Sequence, residues 1–183
     1  MSERKVYLPN ILSGLRVFLI PVIILLLSFK GPKYHTAAAI VFAFAAFTDM
    51  ADGLIARRYN SVTSLGKLLD PLADKLLVSS ILIMLVSLGK APGWMVAVIV
   101  GREILVTGMR GISIERGRVV AAMRSGKFKT VVQYLAIFFL CLGDEPYGIS
   151  LRGFGMILLW IALILTVYSG TVLLLDCFKK DMS

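Results

Sequence analysis

Six long apolar runs divide the chain, each bounded by polar or helix-breaking residues. They cover about 11–29, 36–57, 67–89, 93–114, 129–143 and 152–177, close to the ~20 mainly apolar residues that a membrane-crossing helix needs. Gly31-Pro32, Gly89 with Pro92-Gly93, and Gly143 with Pro146 follow the first, third and fifth runs. Those are the places where an up-and-down bundle has to turn. The pattern predicts an all-α integral membrane protein with six transmembrane helices. Residues 1–183 make one domain, without a domain-sized loop, a low-complexity linker or an internal repeat.

Composition agrees with an apolar surrounding. Hydrophobic residues are 58% of the 183, against roughly 45–50% in soluble domains. Charged residues are only 17%, yet the formal net charge is +9. A basic chain can bind nucleic acid, but here the cations are separated by long apolar runs, which favours a bilayer. Their distribution also sets an orientation. Twelve lie at the termini and in the segments around 57–67 and 115–129, whereas Lys30, Lys33, Lys90 and Arg152 lie on the opposite side. Both termini and those two segments are therefore expected in the cytoplasm. No cleavable leader is evident at the first apolar run. Cys141 and Cys177 stand in apolar stretches and read as packing residues. The single His35 reads as a solvated loop residue, and a zinc site would need about four Cys or His ligands.

Four carboxylates break the apolar pattern. Asp49 and Asp52 in the second run, and Asp70 and Asp74 in the third, lie at or near membrane depth. Each would cost about 2.5–3.5 kcal/mol at the centre of a bilayer helix. They must meet an interface, a wet cavity or cations. At ~100° per residue, Asp49, Asp52, Gly53 and Ala56 share one helical stripe, and Gly66, Asp70 and Asp74 share another. A short connection from Arg57 to Leu65 makes these helices antiparallel neighbours, with the stripes able to face each other. An oxygen-only set suits Mg²⁺ or Mn²⁺. The small residues Gly53, Ala56 and Gly66 allow close approach, either of a packed helix or of a bulky ligand.

The run Asp49-Met-Ala-Asp52-Gly53-Leu-Ile-Ala56-Arg57, eight residues, then Gly66-Lys-Leu-Leu-Asp70-Pro-Leu-Ala-Asp74 resembles the signature of the CDP-alcohol phosphatidyltransferase family. That signature is D-x-x-D-G-x-x-A-R-x8-G-x-x-x-D-x-x-x-D, and all eight specified positions match. Leu8-Pro9-Asn10-Ile-Leu-Ser13-Gly-Leu-Arg16 is similar to the family's P-N-x-L-T-x-x-R opening, with Ser13 where Thr is usual. Two looser segments, Arg102-Glu103 to Arg110 and Ser125 to Thr130, look like those of the phosphatidylglycerophosphate synthase branch. The likeness extends over nearly the whole chain.

The resemblance implies the family's six-helix fold, a homodimer, and a cavity open to the cytoplasmic leaflet. It implies transfer of a phosphatidyl group from CDP-diacylglycerol to glycerol 3-phosphate, with release of CMP. Carried over onto matching positions, Asp49, Asp52, Asp70 and Asp74 would hold two Mg²⁺ or Mn²⁺ ions. Asp74 would also act as general base, with Asp70 the second catalytic carboxylate. Asn10, Asp52, Gly53, Ala56, Arg57 and Gly66 would contact CDP-diacylglycerol. Arg102, Thr107, Arg110, Lys127, Lys129 and Thr130 would bind glycerol 3-phosphate. Glu103, Thr107 and Arg110 share a helical face, and the arginines suit either a substrate phosphate or an intramembrane pair with Glu103.

Other residues read more plainly. Arg116, Arg118 and Arg124 fit ordinary cytoplasmic loop charges. Trp94 and Trp160 fit interface or packing aromatics, Asp176 an interface position, and Arg16 either the site or an anchor for the first helix. No Ser-His or Cys-His pair is visible for covalent catalysis. Within the same chemistry, inositol phosphate, serine or phosphatidylglycerol are alternative acceptors. A cation or proton transporter would also place carboxylates in the membrane, but would spread them through the bilayer rather than cluster them on one hairpin. A structural anchor leaves their cost unanswered.

Overall fold

In the computed structural model the backbone is described for residues 4–59, 64–115, 124–143 and 151–181, with side chains for 14–48, 72–109, 111, 128–143 and 151–175. The described residues form six helices and no strand: α1 (Arg4–Ser28), α2 (Pro32–Tyr59), α3 (Ser64–Ser87), α4 (Gly93–Glu115), α5 (Arg124–Leu142) and α6 (Leu151–Asp181). Each coincides with one of the six expected apolar runs, α1, α3 and α5 stopping one or two residues before the run's expected end. Several extend beyond them into polar sequence, α1 back to Arg4 and α5 back to Arg124. A helix satisfies its own backbone, so it need not stop where the apolar residues do.

The turns are where the breakers put them. Gly31, Gly89 and Gly143 have φ of 131°, 66° and 74°, a region open to glycine and strained for other residues. After α3 the chain closes in a Schellman motif, Lys90 N–H donating to Leu85 O at 2.8 Å and Gly89 N–H to Val86 O at 2.9 Å. The three turns line one recess at a single end of the bundle. There Lys90 Nζ lies 3.0 Å from both His35 Nδ1 and the Cys141 carbonyl. His35 is thus half-buried and bonded, not merely solvated. Buried Cys141 is a packing residue, as expected.

α1 packs on both α2 and α3, α5 packs on α2, α3 and α6, and α4 packs on α3 and α6. The side chains of the stripes expected to face each other lie, except for Asp74, outside the described residues. Among the described residues α1 and α5 each pack on both α2 and α3. The core runs between them through Ile23, Phe42, Leu77, Ile81, Ile99 and Ile137. α5 and α6 approach closely at Gly155, where a Cβ would stand 3.0 Å from the Leu140 backbone nitrogen.

The bundle is apolar outside as well as inside. Phe18, Phe47, Ile83, Ile104, Phe128 and Ile164, one on each helix, are all more than half exposed. Among the described residues one helix, α6 over Leu151–Leu175, is long and apolar enough to cross a membrane. α3 and α4 carry ionisable residues, Asp74-Lys75 and Arg102-Glu103, within their length. Trp94 and Trp160 join α4 to α6 edge to face, ring centroids 5.5 Å apart.

Candidate active site

The backbone carries the aspartate motif on two helices. Asp49, Asp52, Gly53, Ala56 and Arg57 fall on the last turns of α2, Gly66 and Asp70 on the first turns of α3, and Asp74 one turn further. Both helices are unbroken there, so the spacings of three and four keep each set on one stripe. The side chains of the motif residues before Asp74 lie outside the described residues. So do those of Asn10, Arg110 and Lys127. Asp74 is the motif member whose surroundings are seen.

Asp74 borders a narrow recess between α3, α4 and α5, shared with Lys75, Glu103, Thr130, Gln133 and Tyr134. The Tyr134 hydroxyl donates to Asp74 Oδ1. Lys75 Nζ stands 3.3 Å from Asp74 Oδ2 and 2.5 Å from Glu103 Oε2. The other Glu103 oxygen takes Lys129 Nζ and, at 3.3 Å, Arg102 Nη1. Arg102 reaches on to α6, with Nη2 2.6 Å from Ser169 Oγ. It lies against Gly170, where a Cβ would meet Arg102 Cγ and Nε at 3.0 Å.

Helical spacing explains the convergence. Lys129, Thr130, Gln133 and Tyr134 stand at i, i+1, i+4 and i+5 on α5, a single inward face. Asp74 and Lys75 are adjacent on α3, and Glu103 is buried with 4% exposure on α4. A carboxylate so buried is tolerated only when paired, and Glu103 meets three cations. Among these side chains two carboxylates, Asp74 and Glu103, face the basic groups of Lys75, Arg102 and Lys129.

The sequence-predicted acceptor residues are thereby located. Arg102 and Lys129 meet on Glu103, and Thr130 borders the recess. Thr107 Oγ1 donates to the Glu103 carbonyl at 2.8 Å, a bond within its own helix. Lys75, Gln133, Tyr134 and Ser169 were not singled out in the sequence. The signal was there for the α5 residues, since polar side chains at helical spacing inside an apolar run mark a buried polar face. Lys75 shows as the cation next to the last motif aspartate.

Whether this chain's residues suit divalent ions is a question of donor chemistry. Asp74 presents hard oxygen, and the motif residues that share its stripe or the facing helix are aspartates, the ligand type that Mg²⁺ and Mn²⁺ prefer. Among the described residues no three His, Cys, Asp or Glu side chains converge on one point; three of the four expected ligands lie outside them. The donor set fits.

Comparison with known proteins gives the same direction. The family model described as CDP-alcohol phosphatidyltransferase matches residues 6–168. A protein of Bacillus subtilis named CDP-diacylglycerol–glycerol-3-phosphate 3-phosphatidyltransferase is 45% identical over 175 residues, covering 89% of this chain and 91% of its own. A Rickettsia typhi protein of the same name is 42% identical over 164 residues, covering 89% and 92%. A Mycobacterium tuberculosis protein named probable phosphatidylglycerophosphate synthase is 42% identical over 167 residues, covering 89% and 78%. The family is membrane-associated and dependent on divalent metal. With the complete aspartate signature on α2 and α3 and a match over most of its length, the chain belongs to the CDP-alcohol phosphatidyltransferase family.

Proposed function

We propose that this chain transfers the phosphatidyl group of CDP-diacylglycerol to sn-glycerol 3-phosphate, forming phosphatidylglycerophosphate and CMP. The observation that carries the reading is that relatives at 42–45% identity, aligned over nearly nine-tenths of this chain, are named for that reaction. The cation-rich recess beside Asp74 supports it, because a dianionic acceptor needs more positive charge than serine does.

Asp49, Asp52, Asp70 and Asp74 would hold two divalent ions, which supply charge neutralisation at the donor pyrophosphate. Arg57, with Asn10, Gly53, Ala56 and Gly66, serves the cytidine and pyrophosphate end, the small residues leaving room for it. Arg102, Arg110, Lys127, Lys129, Thr107 and Thr130 serve the acceptor phosphate and hold it beside Asp74. Asp74 accepts the proton of the acceptor hydroxyl as that oxygen attacks the lipid-bearing phosphorus. The bond from that phosphorus to the CMP oxygen breaks in the same step. No covalent enzyme intermediate is involved, in keeping with the absence of a nucleophile–base pair from the sequence reading.

The exposed apolar perimeter supports a bilayer surrounding for all six helices, since soluble monomers expose apolar patches of only a few hundred Å². The lysine and arginine bias supports a cytoplasmic site and termini. A homodimer in the inner membrane completes the reading. The test is a product assay in detergent with CDP-diacylglycerol and competing glycerol 3-phosphate, serine, inositol phosphate and phosphatidylglycerol. Phosphatidylglycerophosphate is the expected product; preferential use of another acceptor overturns the assignment.

A further inference from the structure

Asp74 is held from both sides. Its Oδ1 accepts the Tyr134 hydroxyl, and its Oδ2 faces Lys75 Nζ at 3.3 Å. Neither partner is loose. Tyr134 is 6% exposed, and its ring meets Phe42 of α2 edge-on, centroids 5.9 Å apart at 86°. Lys75 is gripped by Glu103 at 2.5 Å, and Glu103 is fixed in turn by Lys129 of α5 and by Arg102, which is tied to Ser169 of α6. A carboxylate has about four lone-pair positions. With one on each oxygen committed to opposite sides, it cannot rotate without losing a contact. The remaining positions keep fixed directions.

We propose that Tyr134 is a positioning residue for the transfer reaction, orienting Asp74 through its hydroxyl, with Glu103 orienting the other oxygen through Lys75. This rests on the reading of Asp74 as a working carboxylate of the phosphatidyl transfer. In this role Tyr134 acts through Asp74, limiting the directions in which the carboxylate presents its free lone pairs. Catalytic groups misplaced by a fraction of an ångström lose rate while leaving substrate binding largely intact. Partners that orient a metal-binding side chain matter to about 10–100-fold in affinity or activity.

The test uses the full-length purified protein and the variant Tyr134→Phe, which keeps the ring and its contact with Phe42 and removes only the hydroxyl. Glu103→Gln tests the second arm by removing the charge that grips Lys75. Turnover, KM for each substrate, thermal unfolding and binding of Mn²⁺ in the absence of substrates are measured together. For Tyr134→Phe the expected result is a kcat lower by about 10–100-fold, both KM values within about threefold, weaker Mn²⁺ binding and an unchanged unfolding temperature. Glu103→Gln is expected to lower kcat in the same direction, with KM for CDP-diacylglycerol unchanged. Full turnover in Tyr134→Phe overturns the proposal, as does a loss matched by a lower unfolding temperature and equal rises in both KM values. If the unaltered protein makes no phosphatidylglycerophosphate from CDP-diacylglycerol and glycerol 3-phosphate, the functional reading fails instead; an active parent with an unaffected Tyr134→Phe variant defeats the positioning role alone.

Discussion

A buried carboxylate such as Glu103 would be too costly alone, and its three cationic neighbours explain why this helix tolerates it. The reverse also holds. Glu103→Ala leaves Lys129 buried and unpaired, and breaking such an interaction costs about 3–5 kcal/mol. A fall in unfolding temperature is expected, partly restored by the second change Lys129→Met; no fall would mean that the pair is not formed. Asp74 is the residue proposed to act in the chemistry. Asp74→Asn keeps size and shape but cannot take a proton, so turnover is expected to drop by about 10²–10⁴-fold while the protein still inserts. Retained turnover would remove Asp74 from the role of base. Asp70→Asn is expected to abolish turnover as well.

Between helices the decisive features are small residues and tied turns. Gly155 of α6 sits against the α5 backbone, with Leu140 N 3.0 Å from where a Cβ would be. Gly155→Leu must push the helices apart, at a cost of about 1–3 kcal/mol, read as a lower unfolding temperature. An unchanged temperature would show that the helices part without cost there. This close approach was not visible in the sequence, since a glycine within an apolar run has no signature of its own neighbour. The turns were visible, because Gly31, Gly89 and Gly143 need positive φ and no other residue adopts it as easily. The six elements were also legible, each apolar run coinciding with one helix to within two residues at its end. Helix pairing was less so: the short connection made α2 and α3 neighbours, but it did not tell that α1 and α5 each pack on both. Loop length constrains which helix ends are near, but side-chain volume along the full length decides which helices pack.

Over the molecule as a whole, the described charged side chains include two linked groups in an otherwise apolar bundle. In one, the recess formed by three turns is tied by Lys90 to His35 and to the Cys141 carbonyl. In the other, α3, α4 and α5 gather the acidic and basic side chains around Asp74. The aspartate motif was legible because its chemistry demands fixed residue types at fixed helical spacings. The network behind it was only partly so. Arg102 and Glu103 stood out within an apolar run and Lys129 and Thr130 at the start of the fifth, but the pairing of Glu103 with Lys75 and of Arg102 with Ser169 depends on how the helices pack. Spacing within one helix says nothing about its neighbours.

The central claim is that this bundle moves a phosphatidyl group onto glycerol 3-phosphate in one metal-dependent displacement. The most direct measurement follows CMP and phosphatidylglycerophosphate together, with the purified protein in liposomes containing CDP-diacylglycerol. The two products are predicted to appear in equal amounts, only when glycerol 3-phosphate and Mg²⁺ or Mn²⁺ are both present, and to stop on chelation. CMP release without the acceptor, or product formation that survives removal of divalent ions, would contradict the account.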